Sequence, residues 1–182
     1  MSDLTPAGRG ATGVPDPATG RPARAGGAQA RPGLAARQAA LVDALTRGAP
    51  VPAGFDARRV EIARVALLRK RAGEVARHWP MMAAGLGPGW LPAFSAWAAA
   101  RPTRGSLRDG WDLARELLAR RTLPEMAAPE LAVREATLRY DIGGLRPRRA
   151  PAVRRVAGSV AVQAAGRVTV FRVPERPAGR TR

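Results

Sequence analysis

Along this chain, stretches in which apolar residues recur at helical spacing alternate with breaks rich in proline and glycine. Leu34, Leu41, Val42 and Leu45 fall on one helical face, and Gly48 supplies a C-terminal stop. Pro50 and Pro52 hold an extended turn. Asp56 is placed to cap a long helix that runs to about Trp79. On that helix Val60, Leu67, Leu68, Val75 and Trp79 mark the inner side, and Arg64 and Arg71, seven apart, fall in the same arc. Pro80 closes it and can open a short helix through Leu86, which the glycines at 85, 87 and 89 then break. Trp90, Phe94 and Trp97 form an aromatic stripe on the next helix. Ser106 caps another, on which Leu107, Trp111, Ala114 and Leu118 repeat, and Pro124 and Pro129 lead into a last helix that ends near Tyr140.

Beyond Gly143-Gly144 the pattern changes. Arg146, Pro147, Arg148, Arg149 and Pro151 read as a linker, after which Val160, Val162, Val168 and Val170 alternate on either side of Ala164-Ala165-Gly166, a β-hairpin signal. The expected fold is mainly α: an orthogonal bundle of about five to six helices with a small C-terminal β-hairpin and disordered tails. The expected organisation is a disordered linker at 1–33, a helical domain at 34–141, an Arg/Pro-rich linker at 142–158, the hairpin at 159–173 and a disordered tail at 174–182. The first segment is assigned on composition, since Gly, Pro and Ala fill nineteen of its thirty-three positions.

Charge refines this picture. The formal net charge is +17, with Lys70 the only lysine among thirty-one basic residues. Residues 34–141 are only mildly basic, at +6, whereas residues 142–182 carry ten arginines and one glutamate. A segment of that kind attracts polyanions, which makes Arg146, Arg148, Arg149, Arg154 and Arg155 candidates for polyanion binding. There is no cysteine and no apolar stretch of membrane-spanning length, so a cytoplasmic protein that neither enters nor spans a membrane is expected.

Catalytic chemistry finds little footing. His78 is the only histidine, too few for a zinc or iron site of the common kinds. Asp109, Asp112 and Glu116 share a helical spacing, but Arg108, Arg115 and Arg120 are interleaved with them, as on a salt-bridged face. No serine sits in a Gly-x-Ser-x-Gly elbow, and no Gly-Lys-Ser/Thr follows the glycines at 85–89. No resident cofactor and no enzymatic activity are expected. Two features break the apolar pattern. Arg64 and Arg71 tilt inward on the long helix, and Glu135 lies between Leu131 and Leu138 on the last one. They are expected either to pair, Glu135 with Arg64 or Arg71, or to form a polar pocket that reads a partner.

The order Leu67-Leu68-Arg69-Lys70-Arg71, Trp79-Pro80, Leu86-Gly87, Phe94, Gly105 to Trp111, and Glu130-Leu131 through Glu135 to Asp141 resembles a helical domain that carries a "DNA-binding" label. That domain forms the N-terminal part of partner proteins to multinuclear non-haem iron oxidases, which modify ribosomally made peptides of the methanobactin and bufferin type. The chain is similar in particular to a group from G+C-rich bacteria related to a C-terminal extension of such enzymes. The resemblance covers about residues 38–172, and no helix-turn-helix signal accompanies the label. It implies a non-catalytic accessory protein that docks on an iron oxidase encoded nearby and helps present a precursor peptide. Arg64, Arg71, Glu135, Gln163, Arg167 and Arg172 are the candidate partner-binding residues. Residues 159–173 are expected to leave a strand edge open, kept polar by Gln163, Arg167 and Arg172. The alternative is a non-specific nucleic-acid-binding protein that uses its Arg-rich C-terminal segment.

Overall fold

A computed structural model describes residues 33–173, so the expected disorder at 1–32 and 174–182 lies outside the described residues. Helix α1 (Leu34–Arg47) ends on Gly48, whose φ of 69° takes the left-handed turn that closes a helix. Helix α2 (Ala57–His78) starts at Asp56, whose carboxylate accepts the backbone N–H groups of Arg58 and Arg59 at 2.9 and 3.2 Å. Pro80 occupies the first turn of α3 (Pro80–Leu86), where its missing N–H costs nothing. A 3-10 turn (Gly87–Gly89) leads into α4 (Trp90–Ala98). Helix α5 spans Ser106–Ala119 and α6 spans Ala127–Thr137. Ser106 is the first residue of α5 rather than its cap: Gly105 holds the cap position, and having no side chain it makes no capping hydrogen bond of its own.

The expected mainly α bundle with one hairpin is overturned. The fold is mixed α/β, with two small antiparallel sheets following the helices. Helix α6 stops at Thr137, and the chain turns directly into β1 (Leu138–Asp141), which pairs with β2 (Gly144–Pro147). The second sheet has the order β3-β4-β5, with β3 at Ala152–Val156, β4 at Ser159–Ala164 and β5 at Arg167–Arg172. Residues 142–158, expected to be a linker, therefore supply two strands. The reason is turn chemistry. Both turns of the three-stranded sheet are two residues long with positive φ at each: Ala157 (41°) and Gly158 (77°), then Ala165 (49°) and Gly166 (75°). Paired left-handed residues give the turn whose twist suits a hairpin. The first Ala-Gly pair extends the sheet by one strand beyond the expected hairpin.

One core joins helices and sheet. Trp79 and Trp111 are fully buried, with ring centroids 6.1 Å apart and planes at 70°, an edge-to-face arrangement. Phe94, Met82, Leu131 and Val75 fill the space around them. Helix α6 lies on the three-stranded sheet through small residues, with Ala128, Ala132 and Ala136 buried on the helix side and Ser159 and Ala161 on the sheet side. Small side chains on both surfaces let helix and sheet approach closely. At the C-terminus of α6, Arg148 Nε donates to the carbonyls of Glu135 and Leu138, both at 3.0 Å, and the Arg148 backbone N–H bonds to Thr137 O at 2.8 Å. A cation at the carbonyl end of a helix satisfies groups that the helix leaves unpaired.

Candidate functional site

The inward-tilted charges resolve into structural pairs. Arg71, 7 % exposed, donates Nη2 to Asp109 Oδ2 at 3.2 Å and Nη1 to Arg101 O at 3.1 Å. Asp109 also accepts the Thr103 hydroxyl at 2.6 Å and the Arg104 backbone N–H at 2.8 Å. Arg64 reaches Glu61 at 3.5 Å and Ala99 O at 3.4 Å. Glu135 pairs with neither Arg64 nor Arg71, which corrects that expectation. Its Oε1 accepts from Arg115 Nε at 2.8 Å and Trp111 Nε1 at 2.9 Å. Both donors lie on α5, because α6 packs beside that helix and the sheets, while α2 contacts α5 from another side.

The order of residues that carries the sequence resemblance is thus largely an order of packing contacts. Trp79 Nε1 donates to Leu107 O at 3.0 Å, and its ring lies against Gly110, where any Cβ would collide with it. Tyr140 donates to Asp112 Oδ2 at 2.8 Å, and desolvation followed by that bond raises its pKa. Asp112 and Glu116 line one cavity with Asp109, Arg101 and Arg104, but each carboxylate has its own partners. Glu116 instead accepts from Trp97 Nε1 at 3.0 Å and pairs with Arg101 at 3.2 Å. Among the described residues no group of three His, Cys, Asp or Glu side chains is placed to hold a metal.

A further clasp joins α6 to the α2–α3 junction through Glu130, which belongs to the resemblance without a role assigned to it, and Arg134. Glu130 Oε2 accepts the Met82 backbone N–H at 3.0 Å, at the start of α3, while Arg134 donates to His78 O at the end of α2. The Arg134 guanidinium stands 4.4 Å over the Trp79 ring. Burial raises the Glu130 pKa against the lowering effect of its bond to Met82 and of nearby Arg134, and burial likewise lowers that of Arg134.

Two surfaces bear on the candidate binding residues. The first is β5, all six of whose residues are exposed. It pairs with β4 on one side only, in the register Ala161↔Val170 and Gln163↔Val168. The bond from Val173 N to Gly158 O at 2.8 Å fixes the phase of the ladder: residues 167, 169, 171 and 173 turn their N–H groups toward β4, and Val168, Val170 and Arg172 turn theirs outward. Val168 and Val170 share the sheet face of buried Ala161 and Gln163, yet are 39 % and 38 % exposed, since among the described residues no strand flanks β5. Arg167 and Arg172 stand at its two ends, both exposed. Gln163 does not line this edge as expected. It sits on the central strand, 5 % exposed, and among the described residues its Oε1 has no hydrogen-bond partner.

The second surface is a cavity of about 410 Å³ beside the small sheet, lined by Arg139, Asp141 and Arg146 together with Pro147–Pro151. It gathers three of the five candidate polyanion-binding residues, Arg146, Arg148 and Arg149, and adds Arg139, which a helical reading of residues 138–141 had hidden. Arg154 lies half-buried on β3, while Arg155 alternates to the other face of that strand and is exposed. Desolvation, then the charges of Arg154 and Arg139, lower the Arg148 pKa. Among the described residues no helix is long and apolar enough to cross a membrane.

Comparison with known proteins is consistent with this division. Residues 35–119, from α1 to the end of α5, match the family model described as SCO6045-like, C-terminal domain. A UPF0276 protein of Streptomyces avermitilis is 40 % identical over 122 residues, 66 % of this chain and 25 % of that protein. The chain therefore spans about a quarter of the length of the curated relative it matches. No solved structure matches the chain. The chain is thus similar to the SCO6045-like C-terminal domain over its first five helices and to a part of a UPF0276 protein.

Proposed function

We propose that this chain is a non-catalytic partner protein that docks on a multinuclear iron oxidase and offers β5 to a ribosomally made precursor peptide. The observation that carries the reading is the unpaired edge of β5. Its outward N–H groups at Val168, Val170 and Arg172 and its half-exposed valines are what a strand added in extension of the sheet would bind and cover. Arg167 and Arg172, exposed at the two ends of the strand, favour an acidic segment as the added strand. The oxidase half of the reading rests on the sequence resemblance. It is supported by the UPF0276 relative, in which the matching segment is about a quarter of a longer protein and so has further sequence of that protein beside it.

The test is co-expression of the tagged chain with the multinuclear iron oxidase and precursor peptide that this reading expects to be encoded beside it. The reading expects the oxidase to co-purify in a fixed stoichiometry and the peptide to be retained by the complex. A chain that recovers neither protein sets the reading aside.

A second reading, non-specific nucleic-acid binding, is favoured by the Arg-lined cavity. Deleting residues 142–182 cannot test it cleanly, because that segment contains strands β2 to β5. A salt titration on the intact chain can: binding driven by phosphate neutralisation falls steeply as salt rises.

A further inference from the structure

The cavity beside the small sheet is lined by four arginines and, among the described residues, by a single carboxylate, Asp141. Arg139 and Arg146 are directly opposed on β1 and β2, a like-charge pairing that costs a sheet stability. Among the described residues its one ion-pair relief is Asp141, 4.0 Å from Arg139 and already accepting the Gly143 N–H at 2.9 Å. Among the described residues no carboxylate lies within ion-pair distance of Arg146, Arg148 or Arg149. Arg148 is held rigidly: both bonds from its Nε go to carbonyls at the end of α6, and among the described residues neither terminal nitrogen has an acceptor. A fixed guanidinium with its fork free is a preorganised donor pair for an oxyanion. The remaining lining is Pro147, Ala150 and Pro151, with no aromatic ring on which a base could stack.

We infer that this cavity is a binding site for a multivalent phosphate chain, recognised through its oxyanions by Arg146, Arg148 and Arg149 and not through any base. Its volume of about 410 Å³ lies in the range of roughly 300–1,000 Å³ usual for small-molecule sites. The site is independent of β5 and of the peptide-docking reading, and it differs from diffuse polyanion attraction in demanding particular arginines.

Titration calorimetry of the full chain with inorganic tripolyphosphate at about 0.1 M salt, where the Debye length is about 10 Å, tests it. The expected result is one saturable site. Arg146→Gln and Arg149→Gln should each weaken it about tenfold or more. Arg155→Gln, which removes the same charge from the opposite face of β3, should leave it within about twofold. Orthophosphate should bind at least tenfold more weakly than tripolyphosphate, since it spans fewer guanidinium groups. Circular dichroism melts of each variant confirm that the fold is kept, which matters most if Arg148→Lys is added to the series. Absence of saturable binding, several equivalent ions per chain, or equal weakening by Arg155→Gln and Arg146→Gln would each overturn the inference.

Discussion

Replacing Asp109 by alanine should cost this fold about 3–5 kcal/mol, the range for breaking a buried ion pair from one side. Asp109 is 2 % exposed and Arg71 is 7 % exposed, so the guanidinium left behind cannot recover its hydration. Arg71 would keep its bond to Arg101 O and its place 5.8 Å from the centroid of the Phe94 ring, neither of which neutralises its charge. The Thr103 hydroxyl and the Arg104 N–H would lose their acceptor as well, though both groups border solvent and can turn to water. Against a total stability of about 5–15 kcal/mol for an ordinary domain, the loss is a large fraction. It corresponds to a fall in Tm of roughly 6–20 °C at this chain size. Chemical denaturation of Asp109→Ala, Arg71→Met and the double variant Arg71→Met/Asp109→Leu forms the assay. The double variant should be more stable than either single one, by about 2 kcal/mol or more, because an apolar pair leaves no orphaned charge. A loss below about 1 kcal/mol in Asp109→Ala, or a double variant that is merely the sum of the two singles, would refute the argument that a buried, mutually dependent pair ties α2 to α5.

Gly110→Ala should destabilise by about 1–3 kcal/mol or more, since the added Cβ would lie 2.8 Å from Trp79 Cγ and closer still to the rest of the pyrrole edge; a thermal melt and the near-ultraviolet signal of the tryptophans report it. Glu135→Ala should shift the tryptophan spectrum as well as the melt, because Trp111 Nε1 and Arg115 Nε share its Oε1; an unchanged spectrum would contradict that sharing. Glu130 should titrate above its ordinary 4.5, burial being the cause. With the folded pKa raised, the folded state holds the proton more tightly than the unfolded one, so the contribution of Glu130 is greatest at acidic pH and declines as pH rises from about 4.5 through the folded value. The stability of the parent relative to Glu130→Gln should therefore fall across that window, and a rise would contradict the sign.

The helical half was largely legible because its signals are local. Asp56, Gly48 and Pro80 announce caps and breaks through their own chemistry, and Trp79, Phe94 and Trp111 mark the core through their spacing. The strands were less so. Arg146 to Pro151 have the composition of a linker, and that concealed a second Ala-Gly pair at 157–158, eight residues before the one at 165–166, which announces a third strand. Residues 138–141 continue a helical apolar pattern, and what ends α6 at Thr137 is Arg148, a capping contact from eleven residues further on. The partner of Glu135 was not readable because periodicity tells which way a side chain points and not which helix it meets. Glu130 and Arg134 look like an ordinary i,i+4 surface pair, and only the packing of α6 across the α2–α3 junction turns them into caps for two other helices. Arg167 and Arg172 could be placed on an exposed strand from alternation alone, whereas Gln163 could not be assigned to the central strand until the third strand was known.

The most direct test of the peptide-docking account is to measure precursor-peptide binding to Val170→Pro and Thr169→Pro alongside the parent chain, with stability followed for each. Val170 turns its N–H to the open edge, so proline there removes a docking donor without breaking a β4–β5 bond, whereas Thr169 donates inward and its loss loosens the sheet. The account predicts that Val170→Pro melts close to the parent and loses peptide binding by at least tenfold. A Val170→Pro chain that folds and binds the peptide as the parent does would contradict it.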